Sequence, residues 1–201
     1  MNFLAHLHLV YDDEDLMLGA MLGDFVRGRR ALWSWPPNVR KGIRIHRKID
    51  KLTDQAPEFR RLQKQFEKPF RRYSGIIIDL AFDHELATHW EAYSTISLPE
   101  FDRQVRAMLK PHGERLPHEL KQFMAYADRR GLFDTYRDEG EVLHSLAGIG
   151  KRFKRSNPLA QVDEIWAEIK PLAAEAFVTF YPSMQAQVQL LINPRSTITG
   201  S

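Results

Sequence analysis

The chain has 201 residues, 43% of them hydrophobic and 27% charged, with a net charge of +3 and no cysteine. This length allows one sizeable core, and the composition is that of a globular protein. It excludes disulfides, thiolate metal sites and cysteine nucleophiles, and no run of ~18 apolar residues exists to cross a membrane. The opening MNFLAHLHLVYDDED lacks the basic start and long apolar stretch of a signal peptide, so a cytoplasmic protein is expected.

The small net charge hides an uneven distribution. Between Arg27 and Lys51 lie nine basic residues (Arg27, Arg29, Arg30, Arg40, Lys41, Arg44, Arg47, Lys48 and Lys51) against one acid, Asp50. A second basic cluster runs Arg60, Arg61, Lys64, Lys68, Arg71, Arg72. Such clusters read either as solvated helix faces or as a surface for an acidic or phosphorylated partner.

The pattern is helical nearly throughout. Asp12 to Asp15 place negative charge where a helix starts, ahead of the apolar stretch from Leu16 to Val26. ALWSWPPNV is expected to break the chain at Pro36 and Pro37, with Asn38 as N-cap of a helix through Gly42, Ile45, Ile49 and Leu52, ending at Thr53 and Asp54. Pro57 suits the first turn of a helix carrying Phe59, Leu62 and Phe66, and Pro69 marks its end.

A central helix is expected from about Arg71 to Tyr93. Ser97 caps the next, with Pro99 and Glu100 in its first turn. Leu116-Pro117 opens a helix through Leu120 and Phe123 that Gly131 terminates. GEVLHSLAGIGKRFK is a further helix, weakened by Gly148 and Gly150. Asn157-Pro158 begins a long last helix, which Pro171 should kink and Pro182 should bend or interrupt. No strand alternation or internal repeat is visible. One all-α domain of eight to ten helices over residues 1–195 is predicted, with a disordered tail at 196–201.

Three polar groups interrupt apolar sequence. They are Asp24 in LGAMLGDFVRG, His46 with Asp50 in GIRIHRKIDKLTD, and Asp79, Asp83 and His84 in GIIIDLAFDHELA. Four-residue spacing puts His46 and Asp50 on one helical face, and likewise Asp79 and Asp83. Two unpaired buried acids on one face are costly, and a bound cation is one solution. Carboxylates and imidazoles converging from several helices are a standard way to hold a divalent metal, and this oxygen-rich set favours manganese, magnesium or iron over structural zinc.

Each residue also has a plainer reading. Asp24 suits a salt bridge to Arg27, and Asp50 a helix-end charge or a partner for Arg47. His6 and His8 suit buried histidines hydrogen-bonded to backbone, and His89, His112, His118 and His144 read as surface or structural. There is no P-loop, GxSxG or dinucleotide fingerprint.

With these residues in place, the sequence resembles the bacterial acyl carrier protein phosphodiesterases, also called acyl carrier protein hydrolyases. The resemblance is carried by MNFLAHLHL, LGDFVRG, GIRIHRKIDKLTD and RRYSGIIIDLAFDHELATHW, which run in the family's order from Met1 to Trp90. The later half matches more loosely, through its helical pattern and the basic KRFKR. The family is related to the HD-domain phosphohydrolases, which implies an HD-like helical bundle. Here the order is Asp83-His84 rather than His-Asp, which leaves open which of the two binds metal.

The resemblance implies a manganese-dependent enzyme, with Mg²⁺ or Fe²⁺ as alternatives. It would hydrolyse the phosphodiester joining 4′-phosphopantetheine to a serine of holo acyl carrier protein. Asp24, His46, Asp50, Asp79 and Asp83 carry over as metal ligands, with His6 and His84 less firmly placed. His46, His84 and Asp83 are the catalytic candidates. Arg27, Arg44 and Arg47 are placed to hold phosphate, and Arg40 and Lys41 to meet the acidic carrier protein. No nucleic-acid or membrane partner is expected on this reading. The alternatives are an HD-type phosphohydrolase acting on nucleotides and a non-enzymatic basic helical module binding nucleic acid.

Overall fold

The computed structural model describes residues 2–194, apart from the side chains of Tyr126, Ala127, Arg129 and Arg130. Among these residues the chain is all-α, with ten α-helices joined by short 3-10 turns and no strand. The tail expected to be disordered, 196–201, lies outside the described residues.

Caps set most of the helix starts. Helix α1 (Phe3–His8) follows Asn2, whose side chain makes no capping bond. Helix α2 (Glu14–Leu22) starts at Asp13, which accepts from the Leu16 N–H at 3.0 Å, with Glu14 and Asp15 in the first turn. Helix α3 (Gly28–Trp33) forms inside the stretch read as a break, and it buries none of its residues.

Helix α4 (Pro37–Gln55) carries Pro37 in its first turn rather than being capped by Asn38. The first turn has no partner for its N–H groups, so a proline costs nothing there. Helix α5 (Pro57–Gln63) starts the same way.

The central segment is split. Helix α6 is Ser74–Thr88, with 3-10 turns at Phe70–Tyr73 and Trp90–Ala92 where a single helix was expected. Ser97 caps α7 (Leu98–Leu109), accepting from Glu100 N–H at 3.3 Å. Gly131, at φ 88°, terminates α8 (His118–Arg130) as predicted. Asp138 caps α9 (Glu139–Gly150), which stops before the KRFK sequence expected to continue it.

The last helix, α10, is Asp163–Ile192, starting later than Asn157 and running unbroken past Pro171 and Pro182. Both prolines are exposed, and the carbonyls they leave without a donor belong to exposed Ala167 and Val178, where water can replace the lost bond.

Helix α6 is apolar on nearly every side and is buried accordingly, packing against α1, α5, α9 and α10. The closest helix pair is α2 with α4. A Cβ on Gly19 would lie 2.3 Å from the Val39 carbonyl oxygen, and one on Gly42 2.5 Å from the Leu16 carbonyl oxygen. The two backbones therefore touch, and only glycine fits at the contact. One turn further along both helices, the same parallel approach brings Gly23 against His46.

Candidate metal centre

Helix α4 presents His46 and Asp50 on its buried face, four residues apart. The end of α2 brings Asp24 to His46, and α1 brings His6 to Asp50. Asp50 Oδ1 lies 2.9 Å from His6 Nε2, and its Oδ2 lies 3.3 Å from His46 Nε2. Asp24 Oδ1 is 3.3 Å from the same His46 Nε2. The imidazoles stack with centroids 3.9 Å apart. His6, His46 and Asp50 each offer a ligand atom, all within 4.8 Å of one another. Both rings are buried, whereas the Asp24 side chain is 62% exposed, so the cluster opens to solvent at Asp24.

Electrostatics separates the two histidines. Burial, with the like charge of His46, holds His6 down to about 4 against the pull of Asp50. Burial alone would lower His46 as well, but the hydrogen bonds and charges of Asp24 and Asp50 outweigh it and push His46 up to about 9. Burial acts to raise Asp50, yet its two histidine partners hold it well below the usual carboxylate range. The His46 hydrogen bond lowers Asp24. One proton between the two rings thus holds the acids together, a task a cation can take over.

The residues fit a divalent cation. Two imidazoles and an ionised carboxylate converge, a second carboxylate stands at the open edge, and the backbone leaves room for the rings. A Cβ on Gly23 would lie 2.2 Å from His46 Cγ. The buried Nδ1 atoms of His6 and His46 have no hydrogen-bond partner. Packing against Gly23 and the ring stack therefore hold the imidazoles, rather than hydrogen bonds behind them. This set is richer in nitrogen than the sequence suggested.

The other candidates lie elsewhere. Asp83 is fully buried, and both its oxygens accept backbone hydrogen bonds, from Leu4 N–H at 2.9 Å and Ala5 N–H at 3.2 Å. It caps α1 from across the fold and so fixes the helix that carries His6. Burial pushes its carboxyl up to about 7, partly offset by those N–H groups. Asp79, half-buried one turn earlier, is raised by burial and by the charge of Asp50, but it is not part of the three-residue group.

His84 turns the other way: its Nδ1–H donates to the Tyr136 carbonyl at 2.7 Å. Asp83 and His84 therefore do not face one ion between them. His8 pairs with the Tyr181 hydroxyl at 2.7 Å and also makes a hydrogen bond to the Tyr93 backbone.

Among the basic candidates, Arg40 donates to the Trp35 carbonyl at 2.8 Å and lies over the Trp33 ring. Lys41 donates to the Ile192 carbonyl at the end of α10, at 2.9 Å. Arg47 donates to the Val26 carbonyl, tying the loop after Asp24 to α4. Arg27 and Arg44 are exposed, and neither side chain has a hydrogen bond or ion pair among the described residues. Arg44 stands two residues from His46, nearly opposite on the helix, so it faces away from the cluster.

Sequence reasoning gave no role to Gly19, Gly23 or Gly42. Their one available signal was four-residue spacing: Gly19 and Gly23 on α2, with Gly42 four residues before His46 on α4.

A bundle that gathers histidines and aspartates from separate helices around one cation-sized point defines a class of all-α metal-type sites. Comparison with known proteins gives the family. A family model described as acyl carrier protein phosphodiesterase matches residues 1–184. Proteins of that name from Yersinia pestis and Shigella boydii serotype 18 are 34% and 36% identical to the chain. They align over 94% and 93% of it, and over 98% and 97% of their own lengths. One from Serratia proteamaculans is 33% identical, covering 94% of this chain and 98% of the relative. No solved structure matches. The chain belongs to the acyl carrier protein phosphodiesterase family, a family of enzymes.

Proposed function

We propose that this enzyme hydrolyses the phosphodiester between 4′-phosphopantetheine and the carrier serine of holo acyl carrier protein, at the cluster of His6, His46, Asp50 and Asp24. The observation that carries the reading is that cluster, built on the segments shared with the family and open to solvent on one side. Water adds to phosphorus, and the serine oxygen leaves with a proton, giving apo carrier protein and 4′-phosphopantetheine.

His6, His46 and Asp50 would hold a divalent cation, with Asp24 completing the set. Mixed imidazole and carboxylate donors suit Mn²⁺ or Fe²⁺ better than Mg²⁺, so Mn²⁺ is the cation we assign. When bound, such an ion lowers the pKa of coordinated water and draws charge from phosphoryl oxygens. Asp24, ionised at the open edge, can accept a hydrogen bond from water. Arg27, three residues away and uncommitted, can hold the phosphate. Asp83 and His84 support the site through α1 and Tyr136. Arg40, Lys41 and Arg47 support the fold around it.

The carrier protein is acidic, and the surface that suits it is α3 with Arg27. Arg27, Arg29 and Arg30 are exposed, Trp33 is 58% exposed, and α3 follows directly on the loop carrying Asp24. Among the described residues no helix is long and apolar enough to cross a membrane. The reading places the reaction in the cytoplasm. Its test is incubation of holo carrier protein with the enzyme and Mn²⁺, followed by mass measurement. Loss of the phosphopantetheine mass is expected, and an unchanged mass overturns the reading.

A further inference from the structure

One cavity shares helix α1 with the cluster without being part of it. It measures about 290 Å³, near the lower end of small-molecule pockets at ~300 Å³. Phe3, Leu80, Phe123 and Ile149 give it apolar walls, and Ser145, Lys151 and Arg152 add polar groups. The side chains of these last three have no hydrogen-bond or ion-pair partner among the described residues.

The cavity is tied to the metal centre along α1. Phe3 lines it, and His6 stands one turn further on the same face, a rise of about 4.5 Å. Phe3 also stacks on Phe25, the neighbour of Asp24, with centroids 6.1 Å apart. Tyr136 fixes a further wall. Its hydroxyl accepts from Asn2 Nδ2 at 3.0 Å, and its carbonyl accepts from His84. The role of His84 is thereby explained without a metal.

We propose that this cavity is the subsite for the pantetheine arm, the chain beyond the phosphate of the substrate proposed above. The inference rests on that reading for the identity of the arm. The arm's chemistry matches the lining. It carries two methyl groups on one carbon and several methylenes, which suit the phenylalanine and aliphatic walls. It also carries two amides, whose carbonyls need donors, and Ser145, Lys151 and Arg152 supply them. With phosphorus at His6 and Asp24, an arm running along α1 past Phe3 would reach this cavity. A simple phosphodiester lacks the arm, so the cavity would give the enzyme its preference for this prosthetic group.

Gly148 makes the inference testable. It lines the cavity, and a Cβ built on it meets nothing within 4 Å. Gly148→Leu therefore projects a side chain into the cavity without backbone strain, and replacing a helical glycine should hold or raise Tm. Calorimetry with pantetheine, which has no phosphate, reads the cavity alone. Wild type should bind, and Gly148→Leu should bind at least tenfold more weakly at an equal or higher Tm. In steady state with holo carrier protein, KM should rise about tenfold with a smaller change in kcat.

Absence of pantetheine binding by wild type overturns the inference. So does equal binding by the filled variant. Failure of wild type to release phosphopantetheine would instead overturn the proposed reaction, a result the calorimetry does not depend on.

Discussion

Gly23 and His46 touch so closely that the glycine has no room for a side chain. A Cβ there would sit 2.2 Å from Cγ and 2.3 Å from Cδ2 of the imidazole. The backbone of Gly23 is right-handed helical, so alanine suits its conformation. Gly23→Ala should therefore act through His46 alone: the ring must move, and Asp24 and Asp50 lose their shared partner. We expect Mn²⁺ affinity to fall at least tenfold and turnover with it, while helix content is unchanged by circular dichroism. Unaltered Mn²⁺ titration of the variant would show that the His46 position does not matter to the cation.

Metal binding should also appear as stability. An ion that binds only the folded state adds about 2.7 kcal/mol at a hundredfold excess over Kd. Saturating Mn²⁺ should raise Tm of the wild type, and a chelator should reverse the rise and stop turnover. Asp50→Asn, which removes the carboxylate shared by His6 and His46, should abolish the Mn²⁺-dependent shift. A wild-type Tm indifferent to Mn²⁺ would remove the site from the folded protein.

Asp83 separates two jobs that the sequence could not. Its pairing with Asp79 suggested two acids meeting one cation. The structure instead commits both Asp83 oxygens to the first N–H groups of α1. Asp83→Ala would leave two buried donors without partners, at about 1–3 kcal/mol each. The variant should lose Tm even in chelator, and Asp83→Asn, which keeps one acceptor, should lose less. If Asp83→Ala melts like wild type in chelator but loses the Mn²⁺ shift, then Asp83 is a ligand and not a cap.

That case shows which parts of the fold were legible. Asp24, His46 and Asp50 stood out because each interrupts an apolar run, and four-residue spacing placed His46 and Asp50 on one face. The helical class followed from periodicity, and the Gly131 terminus from the need for positive φ. The tertiary cap was invisible because it joins residues 79 apart in sequence, with nothing local to announce it. The glycine contacts were hidden for a similar reason: spacing shows that a helix can approach something closely, not what it approaches. The first-turn proline of α4 was misread because a proline that cannot continue a helix can still begin one.

Glu85 should make stability depend on pH. It is buried on α6, and burial raises its pKa, with Glu139 of α9 adding to the shift. His84, His89 and Lys170 of α10 oppose it. A raised carboxyl binds more protons folded than unfolded, so stability falls as pH rises from the ordinary glutamate value through the folded one. Glu85→Gln removes that slope. Its Tm should match wild type near pH 4 and exceed it at pH 7. Parallel Tm curves for the two proteins across that range would mean that Glu85 is ionised without cost.

The exposed helix α3 should govern association with the carrier protein. Arg29 and Arg30 are exposed on a helix that touches the core only through half-buried Leu32, beside the open edge at Asp24, so reversing their charge should leave the core intact. Arg40 and Lys41 are poor probes, because their charged groups hold Trp35 and the end of α10. The Arg29→Glu/Arg30→Glu double variant should keep wild-type Tm and Mn²⁺ affinity while kcat/KM for holo carrier protein falls at least tenfold. Exposed charges are screened over about 8 Å at physiological salt, so added salt should lower wild-type kcat/KM mainly through association. The double variant should show a flatter salt dependence. If it keeps wild-type kcat/KM and the wild-type salt slope, the carrier protein docks elsewhere, and the cluster from Arg60 to Arg72 becomes the next surface to reverse.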